Sequence, residues 1–163
     1  MRRIFPDRCL TRYECVKRWR LKQPKGYNSR ITKQFNMKKP LISIIVPMFN
    51  SEKTIYQCLN SLINQNVKYA YEIVVIDDGS NDRTSKIINS FTTKSKKVLY
   101  YRNKINLGGT ESRNIGIHNS RGDILVFTDS DCIAKNKWLK SIVKPILAGK
   151  GFLVQGYSDG DKT

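Results

Sequence analysis

Short apolar runs rich in β-branched residues alternate with amphipathic stretches between residues 41 and 147, and this alternation constrains the fold more than any other feature of the chain. "LISIIVP" (41–47) is a continuous apolar run closed by proline, the pattern of a strand buried on both faces of a parallel sheet. Asn50 or Ser51 is expected to cap a following helix, and Glu52 suits the positive end of that helix. Ile55, Cys58, Leu59, Leu62 and Ile63 then fall on one helical face. "YEIVVID" (71–77) reads as a second buried strand, and "DGSNDRT" as a turn and caps before a helix presenting Ile87, Ile88 and Phe91. "KKVLYYR" (96–102) is a third strand, and a helix begins at Thr110 after the break at Gly108 and Gly109. "DILVFT" (123–128) is a fourth strand, followed by a helix over 136–147 that Pro145 bends or limits. "GFLVQGY" (151–157) is a candidate fifth strand.

Strand and helix alternate with short connections, which implies right-handed βαβ crossovers. The expected fold is therefore α/β, a three-layer α/β/α sandwich on a mostly parallel, Rossmann-like sheet. The chain divides into a basic extension (1–39) and one domain (40–163). Of the net charge of +17, residues 1–40 contribute 13 Lys/Arg against only Asp7 and Glu14. Two readings of the extension stay open: a solvated tail with a short basic helix over Thr11–Leu21, or a patch that docks on anionic membrane or nucleic acid. Cysteines 9, 15, 58 and 132 lack zinc-like spacing and read as free thiols of a reducing compartment. Behind Arg2 and Arg3 no apolar leader follows, and no run approaches the roughly 18 apolar residues of a membrane span. The expected location is cytoplasmic, peripheral at the membrane at most.

In open α/β sheets ligands bind outside the carboxyl ends of the strands. That rule singles out "PMFN", "DDGS", "NKINLGG" and "DSD". Asp77, Asp78, Asp129 and Asp131 would converge on one edge and repel one another unless a cation or hydrogen-bond donors intervene. Asp129 and Asp131 are two residues apart, which in an extended chain points both to one side. Their oxygens suit Mg²⁺ or Mn²⁺, which keep positions for waters and phosphates; a polar turn accounts for the same residues more cheaply. Asp78 can accept a hydrogen bond from a ribose or base, or serve the Gly79 turn. Phe49 can stack on a base or simply pack, and Arg113 can pair with a phosphate or an acidic neighbour. The sequence has neither a Walker loop nor GxGxxG, and His118, the only histidine, reads as a surface side chain.

In order, "SIIVPMFN", "EIVVIDDGSNDRT", "NLGGTESRNIGI" and "GDILVFTDSDC", with "EKTIYQCLNSLINQ" after the first, resemble the nucleotide-sugar-binding half of a family 2 glycosyltransferase with the GT-A fold. The resemblance runs from Leu41 to Leu147. It implies that Pro47 and Phe49 line the base pocket, that Asp78 holds the uracil or ribose side, and that Glu52, Arg113 and Asn114 lie near the nucleotide. It also implies that Asp129 and Asp131 form the DxD, with Asp131 the direct ligand of Mg²⁺ or Mn²⁺. The implied activity is metal-dependent transfer of a sugar, from a UDP-sugar by preference, to an acceptor hydroxyl with inversion, in polysaccharide or lipid-linked glycan synthesis.

The family's catalytic base lies well beyond the DxD, whereas after Asp131 this chain has only Asp159 and Asp161. The acceptor-binding half is thus expected to be missing, and the catalytic base is unassigned. A donor-binding remnant without transfer is the alternative. Nucleic-acid binding lacks a motif or a surface-aromatic strand in its favour. A sugar nucleotidyltransferase would need a Gly-rich, Arg-containing loop where "PMFNSEK" stands.

Overall fold

The computed structural model describes residues 42–151 and 153–155. Four strands, β1 (Ile42–Met48), β2 (Tyr71–Asp77), β3 (Val98–Arg102) and β4 (Ile124–Phe127), alternate with α1 (Ile55–Ile63), α2 (Thr84–Lys94), α3 (Gly109–Asn119) and α4 (Trp138–Leu147). The sheet has the order β3-β2-β1-β4, and each pairing is parallel. All carboxyl ends therefore open on one edge. Among these residues no helix is long and apolar enough to cross a membrane.

The central strands β1 and β2 are buried along their whole length, which explains why their sequences are continuous apolar runs rather than alternating ones. Alternate residues serve opposite layers. Ile42, Ile44, Val46 and Met48 join Ile73 and Val75 in one core with Leu59 and Leu62 of α1, Ile88 and Phe91 of α2, and Leu139 and Val143 of α4. On the other face Ile45, Val74 and Ile76 pack with Ile115 of α3. The result is the expected α/β/α sandwich.

α3 is held without an apolar stripe. Its buried residues are Ser112 and Gly116, and a Cβ at Gly116 would stand 2.4 Å from Ile45 Cγ2. The missing side chain lets the helix backbone lie directly on the sheet. α4 continues past Pro145 and ends in a Schellman turn: Gly149, at φ 68, donates its N–H to Ile146 O, and Lys150 N–H donates to Pro145 O. The helix is therefore limited by Gly149, not by Pro145.

Two further expectations change. Neither Asn50 nor Ser51 caps α1; the helix starts after Thr54, and the Ser51 carbonyl accepts the N–H groups of Thr54 and Ile55. Residues 151 and 153–155 of the candidate fifth strand are not in a strand. The remainder of that segment, Asp159 and Asp161, and the extension 1–39 with its candidate helix lie outside the described residues.

Candidate functional site

A cleft of about 710 Å³ opens at the carboxyl ends of the strands. Pro47, Phe49, Glu52, Asp78, Arg113, Asp129 and Asp131 all line it. Asn114 does not; it is exposed, and its Nδ2 donates to Glu111 Oε2 at 3.3 Å, along the solvent side of α3. His118 is exposed as well.

The four strand-end aspartates divide into two kinds. Asp77 is fully buried and accepts hydrogen bonds from Ser80 N–H, the Ser85 hydroxyl and the Tyr100 hydroxyl. Burial pushes the Tyr100 phenol up, and its bond to Asp77 adds to the rise. Asp78, only 3% exposed, has both oxygens occupied. Oδ1 accepts from Asn103 Nδ2 at 2.7 Å and Leu107 N–H at 2.9 Å, and Oδ2 accepts from Gly108 N–H at 2.7 Å. Burial alone would raise the Asp78 pKa; the bonds from Leu107, Asn103, Gly108 and Ser112 outweigh it and hold the carboxyl below the ordinary carboxylate range. The repulsion anticipated among four carboxylates is thus resolved at these two positions by the protein's own donors. Asp78 fixes the 103–108 loop over the cleft, as well as facing it.

Asp129 and Asp131 are different. Both are exposed, and they sit in a turn instead of an extended segment, because β4 ends at Phe127 and Cys132 N–H donates to Asp129 O at 3.3 Å. The turn, and not strand alternation, brings both carboxylates to the cleft. Arg113 Nη2 donates to Asp129 Oδ1 at 2.5 Å while Nη1 donates to Gly109 O, so Asp129 carries a matched cation. Asp131 takes part in no ion pair with a described residue; its described hydrogen bond comes from the Cys132 thiol, 3.7 Å away. Behind the turn, the Cys58 thiol donates to Asp129 O at 3.6 Å. Burial, with Cys132, Asp131 and Asp129 nearby, pushes that thiol up to about 12. Cys58 and Cys132 are free thiols.

Two exposed carboxylates of one turn are hard oxygen donors and fit a hard divalent cation that completes its shell with phosphate oxygens and water. Among the described residues no group of three or more His, Cys, Asp or Glu is placed to hold a metal unaided. A bound ion would need its ligand's oxygens.

Bonds that the sequence did not announce tie this site together. Ser51 is buried; its hydroxyl lies 2.8 Å from the Ser130 hydroxyl and 3.2 Å from Phe49 O, linking the loop after β1 to the aspartate turn. Its N–H donates to Thr84 Oγ1. Glu52 accepts Arg83 N–H at 3.0 Å, and Glu52 N–H donates to Asp82 Oδ2 at 3.1 Å. Burial raises Asp82, but the hydroxyl and N–H of Thr84 and the N–H of Glu52 bring it below its ordinary value. Asp82 and Ser130 lie inside the quoted motifs and Ser51 between two of them; the bonds from Glu52 to Asp82 and between Ser51 and Ser130 join residues 30 and 79 apart, beyond the reach of any local pattern. Phe49 is left 43% exposed at the cleft.

The family model "Glycosyl transferase family 2" matches residues 43–163. An "Uncharacterized glycosyltransferase" of Haemophilus influenzae is 39% identical over 104 residues, 64% of this chain and 41% of its own length. TarS 1–349 of S. aureus, solved in complex with UDP-GlcNAc, superposes with a TM-score of 0.60 at 35% identity, covering 66% of this chain and 31% of that one. The mannosyltransferase PcManGT of Pyrobaculum calidifontis, in complex with GDP-Man and Mn²⁺, shares the fold at a TM-score of 0.61 and 24% identity, over 81% of this chain and 38% of that one. The chain thus spans less than half the length of each of these relatives. With a parallel sheet, strand-end motifs and a matched model that covers most of its length, the chain belongs to glycosyl transferase family 2.

Proposed function

We propose that this domain binds a nucleotide-sugar donor, a UDP-sugar by preference, and that the protein transfers the sugar to a glycan or lipid-linked acceptor hydroxyl with inversion. One observation carries the reading. The cleft at the strand ends combines an exposed aromatic ring, Phe49, with two exposed carboxylates, Asp129 and Asp131, in a chain of this family. The UDP-GlcNAc complex of TarS, 35% identical, supports the choice of donor class.

In this reading Phe49 and Pro47 offer the apolar wall against which a base stacks. Asp78 keeps the 103–108 loop closed around the nucleotide, and Glu52 holds the Arg83 N–H so that the loops after β1 and β2 stay joined. Arg113 orients Asp129, and Asp131 with Asp129 holds Mg²⁺ or Mn²⁺ at the diphosphate. When bound, such a cation offsets the negative charge that grows on the departing diphosphate. The basic extension 1–39 is assigned a peripheral membrane contact, and the division at residues 39 and 40 follows from its change of composition.

A second reading, donor binding without transfer, is favoured by the bonding of the other carboxylates in the cleft. Glu52, Asp78 and Asp82 each accept backbone N–H bonds, which leaves no carboxylate of the cleft outside the metal pair poised to take the acceptor's proton among the described residues. Calorimetry with UDP and Mn²⁺ tests binding, and release of labelled sugar from UDP-GlcNAc tests chemistry. Saturable Mn²⁺-dependent binding with turnover supports transfer; binding without turnover supports the second reading; no binding overturns both.

A further inference from the structure

We infer that Asn50 is a positioning residue for the nucleotide base: with Ser80 it fixes the backbone that aims the Phe49 ring into the cleft. The inference deepens the donor-binding reading and rests on it. Among the described residues other than glycine, only Asn50 has a positive φ, 48. Left-handed backbone is costly for an L-residue, and asparagine adopts it more readily than most because its short amide bonds to nearby backbone. Such an outlier persists only where its surroundings hold it. This one lines the cleft, between Phe49 and Ser51.

The holding contacts converge on one peptide. Between Phe49 and Asn50 the carbonyl accepts the Ser51 hydroxyl at 3.2 Å and the N–H donates to Ser80 Oγ at 2.9 Å. Asn50 Oδ1 accepts Asn81 N–H at 2.9 Å, so the backbone and side chain of Asn50 grip successive residues of the loop after β2. Ser80 is a fixed anchor: it is buried, its N–H donates to Asp77 Oδ1 at 2.8 Å, and its carbonyl accepts Arg102 Nη2 at 2.7 Å. Phe49, by contrast, is exposed. A ring with so much open surface is not locked by packing, and its direction follows the backbone that carries it. Fixing that direction lowers the ordering cost of stacking on a base. Joining the two loops does not itself require Asn50, since Ser51 N–H donates to Thr84 Oγ1, Glu52 N–H to Asp82 Oδ2 and Arg83 N–H to Glu52 Oε2. What Asn50 adds is a fixed peptide plane beside the ring.

Calorimetry of the 163-residue chain with Mn²⁺ compares UDP with inorganic pyrophosphate, which carries the diphosphate and no base. Phe49→Ala is expected to weaken UDP binding about tenfold, the scale of one base–aromatic stack. Asn50→Ala loses the Oδ1 bond and strains the backbone; it should weaken UDP binding about fivefold and leave pyrophosphate within about twofold of wild type. Asn50→Gly keeps the left-handed backbone and loses only the amide bond, which makes the same point if the alanine variant unfolds; about threefold is expected. In the Phe49→Ala background either Asn50 substitution should change UDP affinity by less than about twofold, because the two residues act as one. Wild-type UDP affinity in Asn50→Gly or in Phe49→Ala, an equal loss of pyrophosphate binding, or a loss that adds in full to that of Phe49→Ala would overturn the role of Asn50. Wild-type protein that fails to bind UDP would instead overturn the donor-binding reading, and the role of Asn50 with it.

Discussion

Asp78 and Asp131 are both acidic residues beyond the carboxyl end of a strand, and the structure makes them susceptible to opposite perturbations. Asp78 receives three charge-assisted bonds in a nearly closed environment, so Asp78→Asn, which puts an amide donor among other donors, is expected to cost about 2–3 kcal/mol in urea unfolding at pH 7. The pH dependence follows from the lowered pKa of Asp78. A depressed carboxylate stabilises the fold fully above its unfolded value, about 3.9, and the contribution is lost as pH falls through the folded value. The difference in urea midpoint between wild type and Asp78→Asn should therefore be complete at pH 7 and shrink at acid pH. A difference that persists unchanged to the acid limit would show that the cost is steric. At His118, exposed on α3, alanine is expected to leave both stability and UDP binding unaltered. The positions of these residues were legible because each follows an apolar run or lies between runs. Their partners were not: the bonds of Asp78 join residues 25 to 30 apart in the chain, and nothing local in "DDGS" announces them.

At the scale of elements, β1 and β2 were the plainest to read, since burial on both faces demands unbroken apolar sequence. α1 followed from its stripe, with Ile55, Cys58, Leu59 and Leu62 buried and Ile63 half-buried. α3 was placed only by its glycine break. It packs through Ser112 and Gly116, small residues that leave no apolar period to detect. Gly116→Ala tests that packing. Alanine gains about 1 kcal/mol of helix propensity, but its Cβ would overlap the buried Ile45 side chain, and overpacking costs about 1–3 kcal/mol. A net loss of about 1 kcal/mol in urea unfolding is expected; an unchanged or higher midpoint would mean that the helix can move off the sheet. The turn at 129–132 teaches the converse. In sequence its two aspartates suit both an extended pair and a polar turn, and the hydrogen bond from Cys132 N–H to Asp129 O decides for the turn; the end of a four-residue strand is not marked by composition.

For the whole molecule, the strand order β3-β2-β1-β4 gathers segments from residues 47 to 131 onto one edge. That gathering turns several individually weak motifs into a single cleft. The strand-end aspartates divide accordingly: Asp77 and Asp78 are consumed in holding loops, Asp129 is matched by Arg113, and Asp131 takes part in no ion pair with a described residue. Mn²⁺-dependent UDP binding by Asp131→Ala tests this account most directly. By calorimetry, wild-type protein should bind UDP at least tenfold more tightly with Mn²⁺ than with EDTA, a difference of about 1.4 kcal/mol or more. Asp131→Ala should bind with the same weak affinity in both conditions and unfold at the wild-type urea midpoint. A full Mn²⁺-dependent gain retained in the Asp131→Ala protein would contradict the assignment of the cleft.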